Sequence, residues 1–122
     1  MTHTINWFEI PTTDLKRASR FYEDVLGVSF KHEHFAATDM HMAIFQGEKE
    51  SVTGALIADK RRKPVAEGAL VYLNARDLDG SLARIAQAGG SVVMPKTDIG
   101  EPGFIALVRD TEGNVVGLHA PR

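Results

Sequence analysis

Hydrophobic and polar positions along this chain change period several times, and each change marks an element. Residues 5–12 are rich in β-forming side chains and run into Asp14, whose short carboxylate suits a helix N-cap. Leu15, Ala18, Tyr22, Val25 and Leu26 then recur on one helical face, and Gly27 stands where a left-handed C-cap belongs. Strand-like runs follow at 28–35, 41–46 and 52–58, punctuated by Asp39, Gly47 and the charged stretch 48–50. The first half is therefore predicted to be β-α-β-β-β.

After a polar connector at 59–68, the pattern restarts. Residues 69–75 predict a strand, and Asp77 caps a helix whose inner face is Leu78, Leu82, Ile85 and Ala86. Gly89 and Gly90 end that helix, and strands follow at 91–95, 104–109 and 115–120, the last two joined by a tight turn at 111–114. A shift of 63 residues lays Asp14 on Asp77, Leu15 on Leu78 and Gly27 on Gly90, and pairs Ile10 with Leu73 and Phe30 with Val93. The identities fall at the helix start and stop, where the physics is most demanding. The expectation is one α+β domain over 1–122, made of βαβββ modules at 1–58 and 69–122.

Composition narrows the function classes. With 14 Lys and Arg against 16 Asp and Glu, the net charge is −2, so no basic excess favours nucleic acid. No cysteine is present, which removes disulfides, thiolate metal sites and cysteine nucleophiles. The longest apolar stretches fall short of a membrane span, and the N-terminus lacks an apolar signal region, so a cytoplasmic location is expected. A chain this small buries only about two-thirds of its unfolded surface, so a second subunit completing a binding cleft is expected.

Three stretches carry a family resemblance: Ile10-Pro11-Thr12-Thr13-Asp14-Leu15, Phe21-Tyr22-Glu23-Asp24-Val25-Leu26-Gly27 and Arg109-Asp110-Thr111-Glu112-Gly113-Asn114. In this order they resemble the vicinal oxygen chelate superfamily, the glyoxalase, bleomycin-resistance and extradiol-dioxygenase group. The resemblance implies two modules that curl a mixed sheet into a cup with helices outside, a small molecule bound in the cup, and commonly a homodimer. Many members also hold a divalent metal there, with one ligand from the first and last strand of each module. Counting from the shared landmarks, those positions are Trp7, Leu70, Gly117 and an unplaced residue in 52–58, a run without His, Asp or Glu. Indole, isobutyl and hydrogen cannot ligate such a cation, so no cofactor is expected, and glyoxalase I and iron-dioxygenase chemistry are disfavoured.

Strand alternation gives the expected cup lining: Trp7, Glu9, Leu70, Tyr72, Asn74, Val115 and His119, an apolar surface with a few converging polar groups. Glu9, flanked by large apolar residues, is expected to be desolvated unless paired, as a general base, a ligand acceptor or a structural carboxylate. Tyr72 offers a phenolic donor, His119 a partner for Glu9 or a frayed chain end, and Trp7 a stacking surface or plain filler.

Outside the cup, His32 and His34 share a strand face with His41 on the neighbouring strand, either a metal-binding trio or solvent-facing imidazoles. Met40 and Met42 beside them suit core or pocket wall. Lys60, Arg61, Arg62 and Lys63 form an anion site or a solvated loop, and 100–103 is a flexible lip. The leading expectation is a bleomycin-resistance-type binder of a small organic molecule. A lyase or isomerase using Glu9 as base with Tyr72 or His119 as acid, a divergent metalloenzyme, and a regulatory dimer with a vestigial cup remain as alternatives.

Overall fold

A computed structural model describes residues 4–48 and 51–122. The chain runs β1 (Trp7–Pro11), α1 (Leu15–Leu26), β2 (Phe30–Phe35), β3 (Met40–Phe45), β4 (Thr53–Ala58), β5 (Tyr72–Asn74), α2 (Leu78–Arg84), β6 (Ser91–Asp98), β7 (Phe104–Arg109) and β8 (Val115–Ala120). This is the duplicated βαβββ arrangement, built as two four-stranded sheets ordered β1-β4-β3-β2 and β5-β8-β7-β6. In each sheet the first strand lies parallel to the last, and the other pairings are antiparallel.

Local chemistry explains why one helix is regular and the other short. The Asp14 carboxylate accepts the Arg17 N–H at 3.0 Å, and Gly27 at φ 69° donates its N–H to the Glu23 carbonyl, so α1 is capped at both ends. Its buried face is Ala18, Ser19, Phe21, Tyr22 and Val25, with Leu15 and Leu26 packed at the margin. The second helix was expected to reach Gly89, but it ends at Arg84. Asp77 caps it through Gly80 N–H, and a Cβ at residue 80 would lie 2.2 Å from an Asp77 carboxylate oxygen. Glycine therefore serves the cap while weakening the helix interior. Past Arg84 the chain continues in turns, with Ile85 still buried.

The helices cover one face of each sheet, and there a single core forms. Ile10, Phe21, Tyr22, Val25, Phe45 and Leu56 of the first module merge with Leu73, Leu78, Ile85, Val108, Val116 and Leu118 of the second. Polar bonds reinforce this seam. Tyr22 Oη donates to Asp110 Oδ2 at 2.7 Å, Asn114 Nδ2 to the Pro11 carbonyl at 2.7 Å, and Ser81 Oγ to the Val25 carbonyl at 2.8 Å. Glu112 reaches across to α1, where Oε1 accepts the N–H groups of Thr13 and Asp14 and Arg17 Nε binds Oε2 at 2.8 Å.

Candidate functional site

The faces opposite the helices carry the residues expected to line the cup. Alternation places Phe8 and Ile10 toward the core and Trp7 and Glu9 away from it; Leu73 and Ala75 likewise point inward while Tyr72 and Asn74 are exposed. Trp7 is 38% and Tyr72 46% exposed. A small apolar patch of Met42, Ala55 and Ile57, with Met40 and Ile44 against it, gives the first sheet a hydrophobic floor on this side.

Register supplies a position the sequence left open. Glu9 lies opposite Ala55 in the parallel β1–β4 pair, as Tyr72 lies opposite Gly117 in β5–β8. The module equivalence therefore aligns Ala55 with Gly117. The four positions at which a metal would be held are Trp7, Ala55, Leu70 and Gly117, and none offers a donor atom. The residues present do not fit the metal. At Gly117 the space is taken: a Cβ there would stand 2.2 Å from Tyr72 Cδ1, so the phenol ring lies directly over the glycine.

Glu9 departs from the desolvated carboxylate expected. It is exposed and accepts Trp7 Nε1–H at 3.2 Å. The reason is geometric: its apolar sequence neighbours Phe8 and Ile10 project from the other side of the strand, and β1 is a sheet edge. His119 is not at a frayed end. It sits on β8, flanked by β5 and β7 and opposite Asn74 and Ile105, with Nε2 2.6 Å from the Pro102 carbonyl oxygen. That contact also ties down 100–103, where Arg122 Nε donates to the Gly100 carbonyl and Gly103 N–H closes back on Gly100. The segment expected to be a flexible lip is a hydrogen-bonded turn.

The structure divides the expected lining. An open cleft of about 870 Å³ runs between the start of β1 and β5, and it gathers Leu70, Tyr72 and Asn74. Trp7, Glu9, Val115 and His119 lie outside it, on the remaining exposed or half-buried sheet surface. Leu70 itself precedes β5, which is shorter than the strand expected at 69–75. Phe8, Phe45 and Arg76 also border the cleft, and the sequence reading had no role for them there. Phe8 and Phe45 face the core by alternation, and only the gap between the modules exposes their edges to the cleft.

Two charged groups outside the cup are built differently. Arg61 forms a two-pronged pair with Asp59, both contacts at 3.0 Å, and thus is engaged within its own loop. On the β2–β3 hairpin His34 lies directly opposite His41, the rings stacked 4.2 Å apart, and His34 Nε2 is 2.9 Å from Asp39 Oδ1. The hydrogen bond to His34, with its positive charge when protonated and that of His41 and Lys60, holds the Asp39 carboxyl below its ordinary value. His32 lies opposite Ala43 and does not join this cluster.

Residues 4–118 match the family model described as the Glyoxalase/Bleomycin resistance protein/Dioxygenase superfamily. CFP32 of Mycobacterium bovis, provisionally named a glyoxylase, is 28% identical over 119 residues, covering 94% of this chain and 44% of that protein. The chain thus spans less than half the length of that curated relative. A glyoxylase-like domain-containing protein of Didymella fabae is 30% identical over 90% of this chain and 88% of its own length. Among solved structures, TnmS3, an antibiotic binding protein from Streptomyces sp. CB03234, shares the fold with a TM-score of 0.69 at 23% identity, covering 100% of this chain and 98% of that one.

Proposed function

The chain belongs to the glyoxalase/bleomycin resistance protein/dioxygenase superfamily, and on that premise we propose that it binds a small organic molecule on its cup surface without the family's metal. The observation that carries this reading is the donor-free set Trp7, Ala55, Leu70 and Gly117 at the ligand positions. An indole stands at one of these positions and the Tyr72 phenol lies over another, Gly117, and such groups recognise planar or amphipathic ligands by contact area with a polar edge for orientation. Trp7 and Tyr72 supply the apolar surface and Glu9 and Asn74 the acceptors and donors; the adjoining cleft of about 870 Å³, which gathers Leu70, Tyr72 and Asn74 but neither Trp7 nor Glu9, is within the range of small-molecule sites. The antibiotic-binding role named for TnmS3 is compatible with this chemistry. Sequestration requires no bond change and no catalytic group. In this reading the exposed cup faces are completed by a second copy of the chain, and the protein acts as a homodimer.

Trp7 is the chain's single tryptophan, so its fluorescence reports on the cup. Titration of tag-free protein with bleomycin and a panel of planar aromatic compounds is expected to give saturable quenching by at least one compound, weakened roughly tenfold or more in Tyr72→Ala. Elemental analysis of the same sample after chelator treatment is expected to show no stoichiometric metal, and chelator is expected to leave the quenching unchanged. Absence of saturable quenching across the panel, or quenching that requires an added divalent ion and disappears with chelator, overturns the proposal.

A further inference from the structure

The β2–β3 hairpin carries a second constellation, on the opposite face of the sheet from the cup. His32, His34 and His41 share the side of Ala43 and Phe45, which face the helices, whereas Met42 and Ile44 face the cup. Beyond the helical cover that side reaches solvent, and the His34 and Asp39 side chains are 45% and 81% exposed. We propose that His34, Asp39 and His41 form a binding site for a borderline divalent transition-metal ion such as Zn²⁺.

Three observations converge on it. One ligand atom from each of the three residues lies within 4.8 Å of the others. A tetrahedral ion at roughly 2.0–2.1 Å from each imidazole nitrogen needs neighbouring ligands about 3.4 Å apart, so small side-chain rotations close the site. The two imidazoles come from directly opposed residues of an antiparallel pair, an arrangement that holds both on one face of the sheet. Asp39, the third ligand, ends the hairpin turn at φ 50°, the sole non-glycine residue with positive φ among the described residues, and this turn directs its carboxylate back onto His34. Two nitrogen donors and one carboxylate suit Zn²⁺, Ni²⁺, Co²⁺ or Cu²⁺ and disfavour Mg²⁺ and Ca²⁺, which take oxygen ligands. Three protein ligands leave a fourth position for water or an incoming group. This site shares no residue with the cup, so neither proposal depends on the other.

Zn²⁺ titration of the tag-free chain by calorimetry, with Co²⁺ absorption as a spectroscopic check of ligand geometry, tests the assignment. One equivalent is expected to bind. Outer-shell partners of metal sites alone are worth about 10- to 100-fold in affinity, so His34→Gln and His41→Gln should each weaken binding by about 100-fold or more. His32→Gln, His119→Gln and Trp7→Ala should leave it within about twofold. In the unsubstituted protein, zinc-induced NMR shifts of imidazole nitrogens should centre on His34 and His41, which gives a readout independent of variant folding. Equal loss in His32→Gln, unchanged binding in both cluster variants, shifts centred on other histidines, or saturation only at millimolar zinc would each overturn the proposal.

Discussion

The seam between the modules and the cup surface are built from similar residue types and treated oppositely. At the seam Tyr22, Asp110 and Asn114 are buried and satisfied: Asp110 accepts from the Tyr22 hydroxyl, the Glu112 and Asn114 N–H groups and the Asn114 amide. Burial, the Asp110 charge and this hydrogen bond together drive the Tyr22 hydroxyl well above its ordinary titration range, so it serves as a donor throughout. On the cup surface Tyr72, Glu9 and Asn74 are exposed, and the Trp7–Glu9 bond is a contact between neighbours on one strand. Buried polar groups must be paired or they cost stability, whereas exposed ones stay available to a ligand. The seam uses its polar groups to hold the fold together, and the cup face leaves its own exposed.

The largest effect should come from emptying the seam. Asp110→Ala leaves the Tyr22 hydroxyl and two backbone donors without their acceptor, and a loss of about 4 kcal/mol in urea unfolding is expected. Tyr22→Phe removes donor and bond together and should cost about 1 kcal/mol, which separates the bond from the stranded partners. If the two losses are equal, the seam is not the satisfied network described.

Glu112 sharpens the comparison through pH. Burial by itself raises its carboxyl, but hydrogen bonds from Arg17, the Asp14 N–H, Thr111 and Thr13 outweigh that and hold it at about 2, below the ordinary 4.5. A carboxyl depressed in the folded state stabilises the fold above its unfolded value, and this stabilisation is lost as pH falls from about 4.5 toward about 2. Glu112→Gln should therefore cost about 2–3 kcal/mol near neutrality and flatten the acid limb of a stability–pH profile. An unchanged acid limb would place the titration elsewhere.

Cup substitutions should separate binding from stability. Trp7→Ala and Tyr72→Ala are expected to change unfolding free energy by about 1 kcal/mol, because both rings stand on the exposed side of their strands and are only partly covered, while abolishing or weakening ligand-dependent thermal shifts. Gly117→Ala is expected to cost about 1 kcal/mol, since the added methyl would stand 2.2 Å from Tyr72 Cδ1 and the ring must swing aside. Its signature is an altered ligand affinity in the same thermal-shift assay, and an affinity equal to that of the unsubstituted chain would remove Tyr72 from the site.

Local signals carried much of this protein. Asp14 and Gly27 mark the ends of α1 correctly because caps are interactions between residues a few positions apart. Alternation along β1 and β8 separates core from cup surface because a strand's two faces are fixed by the backbone period. Failures came where the deciding partner is distant or absent from the sequence neighbourhood. Phe8 and Ile10 do not desolvate Glu9, because neighbours on a strand point away from one another. Ala55 becomes the counterpart of Gly117 only through strand register. Glu112 joins α1 across a separation of about a hundred residues, set by how the modules dock. The hairpin brings Asp39 and His41 onto His34 and leaves His32 out, since pairing selects which imidazoles are opposed. The sequence by itself determined the repeated elements and which faces are apolar, both products of short-range backbone and side-chain physics. Only the tertiary structure decided which polar groups are spent on the seam and which remain open, because that choice depends on partners brought together by docking.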